Sequence, residues 1–282
     1  MKEINIYNEN NDFQYFETLK KNRNKRHSSG EFFVEGVRNI NECIKNNWMV
    51  SSVIYSNSDG LSDWAKNILR GSSLRNVGFY NLKKELMQKL SEKEDKDDTS
   101  ELIFIVKIKN DDLNKLVLSD NSIVLIFDRP SNKGNLGTII RTCDSFGIDV
   151  LLITGHAVDL YDRETVGASM GSFFKQKILR VPSFNELTGW IDKQRDIFPK
   201  LKMIGTSAKA EKYIHTANPA GSPNIIVIGN ETTGLSKNFL ELCDISLKIP
   251  MYAGSSASSL NVACAAAIIL YEFTKNKNML PQ

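Results

Sequence analysis

Apolar residues in the second half of the chain come in short runs separated by polar stretches of helix length. The runs are Ile123–Phe127, Val150–Thr154, Ile178–Val181, Leu201–Gly205, Ile225–Ile228 and Ile245–Ile249. Short buried strands alternating with helices predict a parallel sheet covered on both faces. Chains as a rule do not knot, so the pattern alone predicts an ordinary doubly wound sheet. The first half is less regular. It predicts a helix over Phe13–Ser29 ending in a basic turn, a strand at Phe32–Val34, and a helix opened by Gly36 with Val37, Ile40 and Ile44 on one face. A strand at Val50–Tyr55, helices at Leu61–Leu69 and Asn81–Leu90, and a strand at Leu102–Ile108 follow. This alternation predicts a small α/β domain of about a hundred residues. Glu92–Asp98 is acidic and reads as an exposed loop. Lys109–Asp120 shows no convincing core and reads as a linker, which divides the chain into domains 1–112 and 113–282.

Composition narrows the function classes. A chain of 282 residues holds one large or two modest domains, and 41% hydrophobic with 24% charged residues is ordinary for a globular protein. The net charge of +3 means that any nucleic-acid surface must come from local clustering. One such cluster is Lys20, Lys21, Arg23, Lys25, Arg26 and His27. A charge run is ordinarily a solvated face; the alternative is contact with phosphates, through Lys21, Arg23, Lys25 and Arg26. The cysteines Cys43, Cys143, Cys243 and Cys264 lie far apart, without metal-ligand or C-x-x-C spacing, and read as reduced thiols. No metal site is expected. The polar N-terminus carries no signal peptide, and the longest apolar run, Val262–Tyr271, is too short to span a bilayer. A cytoplasmic protein with no membrane partner is expected. The histidines neighbour no nucleophile, and no G-x-G-x-x-G or G-x-x-x-x-G-K-[ST] loop is present, so hydrolase, dinucleotide and nucleoside-triphosphate readings lack support.

Three stretches carry the chemistry. The first is Asp128-Arg-Pro-Ser-Asn-Lys-Gly-Asn-Leu-Gly-Thr-Ile-Ile-Arg-Thr-Cys-Asp-Ser-Phe-Gly147. It reads as strand end, glycine-rich loop and helix, with Leu136, Ile139, Ile140, Cys143 and Phe146 at helical spacing and Gly147 at the stop. Arg141 interrupts that apolar pattern, as a surface charge or as a fork for a phosphate or ribose. The second stretch is Ile225-Ile-Val-Ile-Gly-Asn-Glu-Thr-Thr-Gly-Leu-Ser236. The third is Ile249-Pro-Met-Tyr-Ala-Gly-Ser-Ser-Ala-Ser-Ser-Leu-Asn-Val-Ala-Cys-Ala-Ala-Ala-Ile-Ile-Leu-Tyr-Glu272. In an open α/β sheet, loops at the carboxyl ends of strands converge on one site. Gly229 and Gly234 permit close backbone approach, and Ile249, Met251 and Leu260 offer apolar surface.

In this order the three stretches resemble the signature motifs of the SpoU/TrmH family, RNA ribose 2′-O-methyltransferases of the knotted SPOUT class. The resemblance covers residues 121–275. More loosely, residues 21–108 resemble the ribosomal-protein-like substrate-binding domain often fused ahead of this core. It implies an α/β protein: a C-terminal parallel-sheet α/β knot, with a deep trefoil knot, behind a smaller N-terminal α/β domain that binds RNA. It implies S-adenosyl-L-methionine as cofactor, bound by Gly229, Ile249, Met251, Leu260 and Thr206. It implies functional roles for Asn135, Arg141, Glu231, Ser259 and Asn261. The family credits Arg141 with activating the hydroxyl. A guanidinium is never deprotonated in proteins, so clamping a phosphate and stabilising a developing alkoxide is the more conservative role. Asn135 would orient Arg141 or the ribose. Glu231 would hold Arg141 or accept a hydrogen bond in the cofactor pocket. Ser259 and Asn261 could also cap the helix that follows. That helix, Val262–Tyr271, is apolar nearly all round and expected to be buried on most faces; the family adds a homodimer contact. The loop between Ile249 and Leu260 is about two residues longer than is common in the family, which bears on the cofactor contacts of 251–258. The fused domain favours ribosomal RNA over transfer RNA. The alternative is a non-catalytic RNA-binding or ribosome-assembly factor on the same fold, and a third reading is methylation of a base.

Overall fold

The computed structural model describes residues 3–71, 74, 77–91, 100–110, 112–217 and 222–275. The expected acidic loop over Glu92–Asp98 lies outside them. In chain order the elements are β1 (Glu3–Ile6), α1 (Asn11–Lys21), α2 (Arg23–Ser29), β2 (Glu31–Glu35), α3 (Val37–Lys45), β3 (Val50–Tyr55), α4 (Asp63–Arg70), β4 (Gly78–Leu82), α5 (Lys84–Leu90) and β5 (Leu102–Lys107). There follow β6 (Ile123–Asp128), α6 (Lys133–Ser145), β7 (Val150–Thr154), α7 (Arg163–Ala168), β8 (Ile178–Val181), α8 (Phe184–Ile197), β9 (Lys202–Thr206), β10 (Lys212–Tyr213), β11 (Asn224–Ile228), α9 (Lys237–Leu242), β12 (Ile245–Lys248) and α10 (Val262–Thr274).

The chain forms two compact units. One is Met1–Asn110 with Asp159–Lys175; the other is Asp111–Val158 with Gln176–Gln282. The excursion of residues 159–175 into the first unit departs from a single boundary at 112/113.

The first unit is built on a five-stranded mixed sheet of order β1-β4-β3-β5-β2. The pattern missed β1, and it read the end of β4 as the start of a helix, because polar residues interrupt both strands, Glu3 and Asn5 in one and Asn81 in the other. The expected basic turn is a helix, α2. Asn22 ends α1 and its side chain accepts the Lys25 N–H at 3.1 Å, so one asparagine starts the new helix. That helix carries Arg26 inward, where it is only 2% exposed. The Arg26 guanidinium reaches Asp159 at 2.7 Å and Asp162 at 3.2 Å, and donates to the carbonyls of Leu19 and Lys20. Arg26 is therefore corrected from a phosphate-contacting residue to a buried strut. Lys21 and Lys25 keep to the surface; Lys21 pairs with Glu17 at 2.8 Å, and the Lys25 ammonium lies over the Tyr15 ring.

The excursion is held by an aromatic cluster as well. Phe32 and Trp48 pack with Phe173 and Phe174, Phe32 also with Tyr161, and Trp48 Nε1 donates to the Phe174 carbonyl at 2.8 Å.

The second unit has a seven-stranded sheet of order β10-β12-β9-β11-β6-β7-β8, with every pairing parallel. The strand order reverses direction around β6, as in open sheets that bind ligands at their carboxyl edge. Strands β6, β7 and β11 are buried along their whole length, which accounts for their unbroken apolar runs. The stretch read as a coreless linker is not one. Leu113, Leu116 and Leu118 are buried in the same core as Val124, Leu152 and Trp190. The apolar run there is only Leu116-Val-Leu118, and Asn114 and Lys115 set Leu113 apart from it.

Replacing Arg26 with alanine strands two buried carboxylates, which costs about 3–5 kcal/mol. Urea unfolding should show that loss for Arg26→Ala, while Lys21→Ala stays within about 0.5 kcal/mol of wild type.

Candidate active site

The middle of the second sheet sets the site. Ile228 lies opposite Phe127, Val227 opposite Gly205, and Leu247 opposite Thr206. The carboxyl ends of β6, β11, β9 and β12 are thus level neighbours. The segments leaving them hold Asn135, in the first turn of α6, and Gly229, Glu231 and Ile249, with Thr206 at the end of β9.

The first loop is anchored by Asp128, a buried carboxylate at the end of β6. It accepts from the Ser236 N–H at 3.0 Å, from Arg129 Nε at 3.1 Å and from the Thr154 hydroxyl at 3.3 Å. Arg129 sits at φ 53°, in the left-handed region that non-glycine residues rarely adopt. Its guanidinium donates to the Gly234 carbonyl at 3.0 Å and the Thr233 hydroxyl at 3.4 Å, so the first loop grips the second. Asn230 returns the grip, donating to the Arg129 carbonyl at 2.8 Å. The residues Asp128, Arg129 and Asn230 were not singled out from the sequence. The available signal was an acidic residue ending a strand immediately before a loop.

The second loop closes on itself. Asn230 and Gly234 exchange backbone hydrogen bonds at 3.0 and 2.9 Å, and the Asn230 side chain accepts the N–H groups of Thr232 and Thr233. A Cβ on Gly229 would stand 2.2 Å from the backbone of Gly234 and Leu235. Gly229 thus admits the chain's own backbone, and no other residue fits there.

Glu231 projects from this turn to the N-terminus of α6. Its carboxylate accepts from the Ser131 N–H at 2.9 Å, the Ser131 hydroxyl at 2.6 Å, the Asn132 N–H at 3.1 Å and Asn135 Nδ2 at 3.4 Å. Burial alone would raise its carboxyl, but the Ser131 hydroxyl and the surrounding N–H groups outweigh it and hold it below its ordinary value. Glu231 is therefore no loose loop carboxylate, and it does not hold Arg141.

The third stretch joins through Asn261. This residue caps α10, its Oδ1 accepting from Ala263 N at 2.8 Å and Cys264 N at 3.4 Å, while its Nδ2 donates to Asn135 Oδ1 at 3.1 Å. Because the Asn261 oxygen is committed to the helix and the Asn135 amide nitrogen to a carboxylate, neither amide can be turned round without a clash of like atoms. The chain Glu231–Asn135–Asn261 thus ties all three stretches together in one polarity. Capping falls to Asn261 alone; Ser259 is exposed.

Arg141 stands about one and a half turns beyond Asn135 on α6. It is exposed, and no hydrogen bond or ion pair engages its guanidinium among the described residues. The Thr206 hydroxyl donates to the Val227 carbonyl at 3.0 Å. Ile249 is half-buried, and Met251 and Leu260 are exposed on the segment beyond β12. Helix α10 packs on α6 and buries Ala263, Ala266, Ile269, Leu270 and Phe273, but leaves Cys264, Ile268 and Tyr271 exposed. It is buried on one side rather than on most faces. Among the described residues no helix is long and apolar enough to cross a membrane, and no cluster of His, Cys, Asp or Glu could hold a metal.

The chain resembles known proteins over most of its length. The SpoU rRNA methylase family model covers residues 122–271, and the SpoU L30e-like domain covers residues 10–104. A 23S rRNA (uridine(2479)-2'-O)-methyltransferase of Streptomyces viridochromogenes is 36% identical over 272 residues, 96% of this chain and 92% of that one. The crystal structure of the SpoU methyltransferase AviRb from the same organism, in complex with AdoMet, superposes with a TM-score of 0.87 at 35% identity, covering 96% of this chain and 100% of that one. The mitochondrial rRNA methyltransferase 3 of Homo sapiens is 26% identical over 90% of this chain and 70% of its own length.

A carboxyl held low contributes stability that is present above its unfolded pKa and lost as pH falls through the folded value. The difference in Tm between wild type and Glu231→Gln should therefore be steady near neutral pH. It should shrink in acid below the ordinary carboxylate range of about 4.3. Thermal unfolding from pH 7 down to acid, followed by circular dichroism, checks this.

Proposed function

Since the chain belongs to the SpoU rRNA methylase family, we propose that its substrate is ribosomal RNA, of the large subunit, and that the three tied loops form its active site. The chain is an S-adenosylmethionine-dependent RNA 2′-O-methyltransferase. The observation that supports this site is the Glu231–Asn135–Asn261 chain, which ties the three motif stretches together at the start of the helix that carries Arg141.

The residues present fit the cofactor. Met251 and Leu260 are exposed apolar side chains on the segment that follows the half-buried Ile249. Among the described residues, the N–H groups of residues 250–260 make only two hydrogen bonds, Ser255 N to the Tyr252 carbonyl and Ala257 N to the Ser255 hydroxyl. Free backbone donors and acceptors beside apolar surface suit a purine and a thioether. The longer loop supplies them from small residues. When bound, S-adenosylmethionine supplies the activated methyl group on its sulfonium.

The chain's own residues do the rest. Arg141, charged at all working pH, clamps the phosphate next to the target ribose and stabilises the oxygen as its proton leaves. Asn135 and Asn261, locked in one polarity, set the floor under the ribose and hold α6 against α10. Glu231 neutralises the N-terminus of α6 and keeps the first loop open to substrate. Ser259, exposed on the segment before α10, is left free to contact the substrate. A non-catalytic binder would have no need of this network, which joins residues about a hundred positions apart. Lys21, Arg23 and Lys25 remain phosphate contacts for the N-terminal unit.

The exposed Cys264, Ile268 and Tyr271 on α10 are i, i+4 and i+7 neighbours and form one apolar stripe. We assign it to a two-fold homodimer contact. We infer a cytoplasmic location, where free thiols such as Cys43 and Cys143 persist.

Arg141→Ala should lower methyl transfer to unmodified ribosomal RNA by about a hundredfold or more, while calorimetry finds cofactor affinity within a few-fold of wild type. Lost cofactor binding with an intact fold would misplace Arg141. Sedimentation should find a dimer that Ile268→Glu converts to monomer; an active wild-type monomer would refute the interface.

A further inference from the structure

Arg129 stands between β6 and α6 in a backbone conformation that weighs against the fold. Its φ is 53°, in the left-handed region, where an L side chain crowds its own carbonyl. Pro130 follows, and a residue before proline is pressed toward extended backbone. Glycine would take this turn without strain. Strain of this kind persists only where the surroundings hold it, so a side chain at this position needs an explanation.

That side chain is engaged along its whole length. Its alkyl part lies against Gly155, in the loop after β7, where an added Cβ would stand 2.6 Å from Arg129 Cγ. Nε donates to Asp128 at 3.1 Å, Nη2 to the Gly234 carbonyl at 3.0 Å and Nη1 to the Thr233 hydroxyl at 3.4 Å. The backbone is engaged too. The Arg129 N–H donates to the Thr154 carbonyl at 3.2 Å, and the Arg129 carbonyl accepts from Asn230 Nδ2 at 2.8 Å. One residue therefore grips both ends of the turn over residues 230–234: its carbonyl takes the first residue and its guanidinium the last. Glu231 lies between those ends. From this backbone the carbonyl and the side chain reach the same turn, which glycine could do with its carbonyl alone.

We propose that Arg129 is a positioning residue for methyl transfer, a reading that rests on the active site assigned above. Each of its guanidinium nitrogens already donates within the fold, so it acts on the loops and not on the substrate. It fixes the turn that carries Glu231, and Glu231 accepts from Ser131, Asn132 and Asn135 at the start of α6. Without the guanidinium, the Gly234 end of the turn loses its hold on the first loop while the Asn230 end keeps one. Glu231 then drifts from its donors, and Asn135 loses the contact that sets its amide. Small misplacements of this kind are costly in a displacement that depends on alignment.

Two variants separate this role from folding. Arg129→Gly removes the grip and the strain together, and Arg129→Asn removes the grip with a residue that tolerates left-handed backbone. Both full-length variants should unfold within about 5 °C of wild type. At saturating S-adenosylmethionine, kcat on unmodified ribosomal RNA should fall about tenfold or more, with KM for the RNA within about threefold. In a Glu231→Ala background, Arg129→Gly should lower kcat by less than about threefold, because its effect runs through Glu231. Hydrogen exchange followed by mass spectrometry should quicken about tenfold in peptides spanning residues 131–135 and 230–236, and stay unchanged in β11. Unchanged kcat, a raised KM at constant kcat, or an equal loss in the Glu231→Ala background would overturn the proposal. So would a larger drop in Tm in both variants, which would make Arg129 a support of the fold alone. Failure of the substrate reading shows separately, as a wild-type protein that binds cofactor and methylates no ribosomal RNA; the exchange measurement then decides whether Arg129 holds the turn.

Discussion

The carboxylate of Glu231 is the interaction on which the catalytic unit depends. A parallel sheet delivers several strand ends to one edge but says nothing about how their loops meet. Glu231 leaves the loop after β11 and accepts from Ser131, Asn132 and Asn135, about a hundred residues earlier in the chain. It meets the N-terminus of α6, where free N–H groups and the helix dipole favour an anion. The close approach that makes this reach possible depends on Gly229, where even one methyl carbon would collide with the next strand of the turn. A local backbone constraint thus sets a tertiary bridge, and the bridge sets the polarity of Asn135 and then of Asn261.

Of the proposed site, Arg141 alone stood out by pattern, a charge inside an otherwise apolar helix, whereas Asn135, Glu231 and Asn261 were expected from the resemblance of the three stretches to the family's motifs. An exception to a buried pattern, such as Arg141, is where chemistry is found. The partnerships were less legible. Glu231 was a candidate to hold Arg141, but the α6 N-terminus satisfies it more fully. Thr206 was a candidate cofactor contact, and its hydroxyl is already engaged by Val227.

The fold divides the same way. Strands such as Ile123–Asp128 announce themselves by unbroken apolar runs, whereas β1 and β4 are broken by polar residues. The excursion of residues 159–175 was invisible because its reasons are all tertiary. Phe173 and Phe174 pack on Phe32 and Trp48, more than a hundred positions away. Arg26 was misread on the same account. Within a run of basic residues nothing local distinguishes the one whose partners, Asp159 and Asp162, arrive from far along the chain.

The two arginines make the general point. Arg26 and Arg141 carry the same group, and the protein treats them in opposite ways. Arg26 is out of water, so two carboxylates and two carbonyls must satisfy it, and it has no capacity left for a ligand. Arg141 remains hydrated, so leaving it unpaired costs the fold almost nothing. A phosphate that displaces its water gains a two-pronged, charge-assisted contact without breaking an existing one. In the proposed role of Arg141, a pairing with Glu231 would have forced substrate to compete for it. By placing Glu231 on backbone N–H groups instead, the structure satisfies its anion and keeps its cation available.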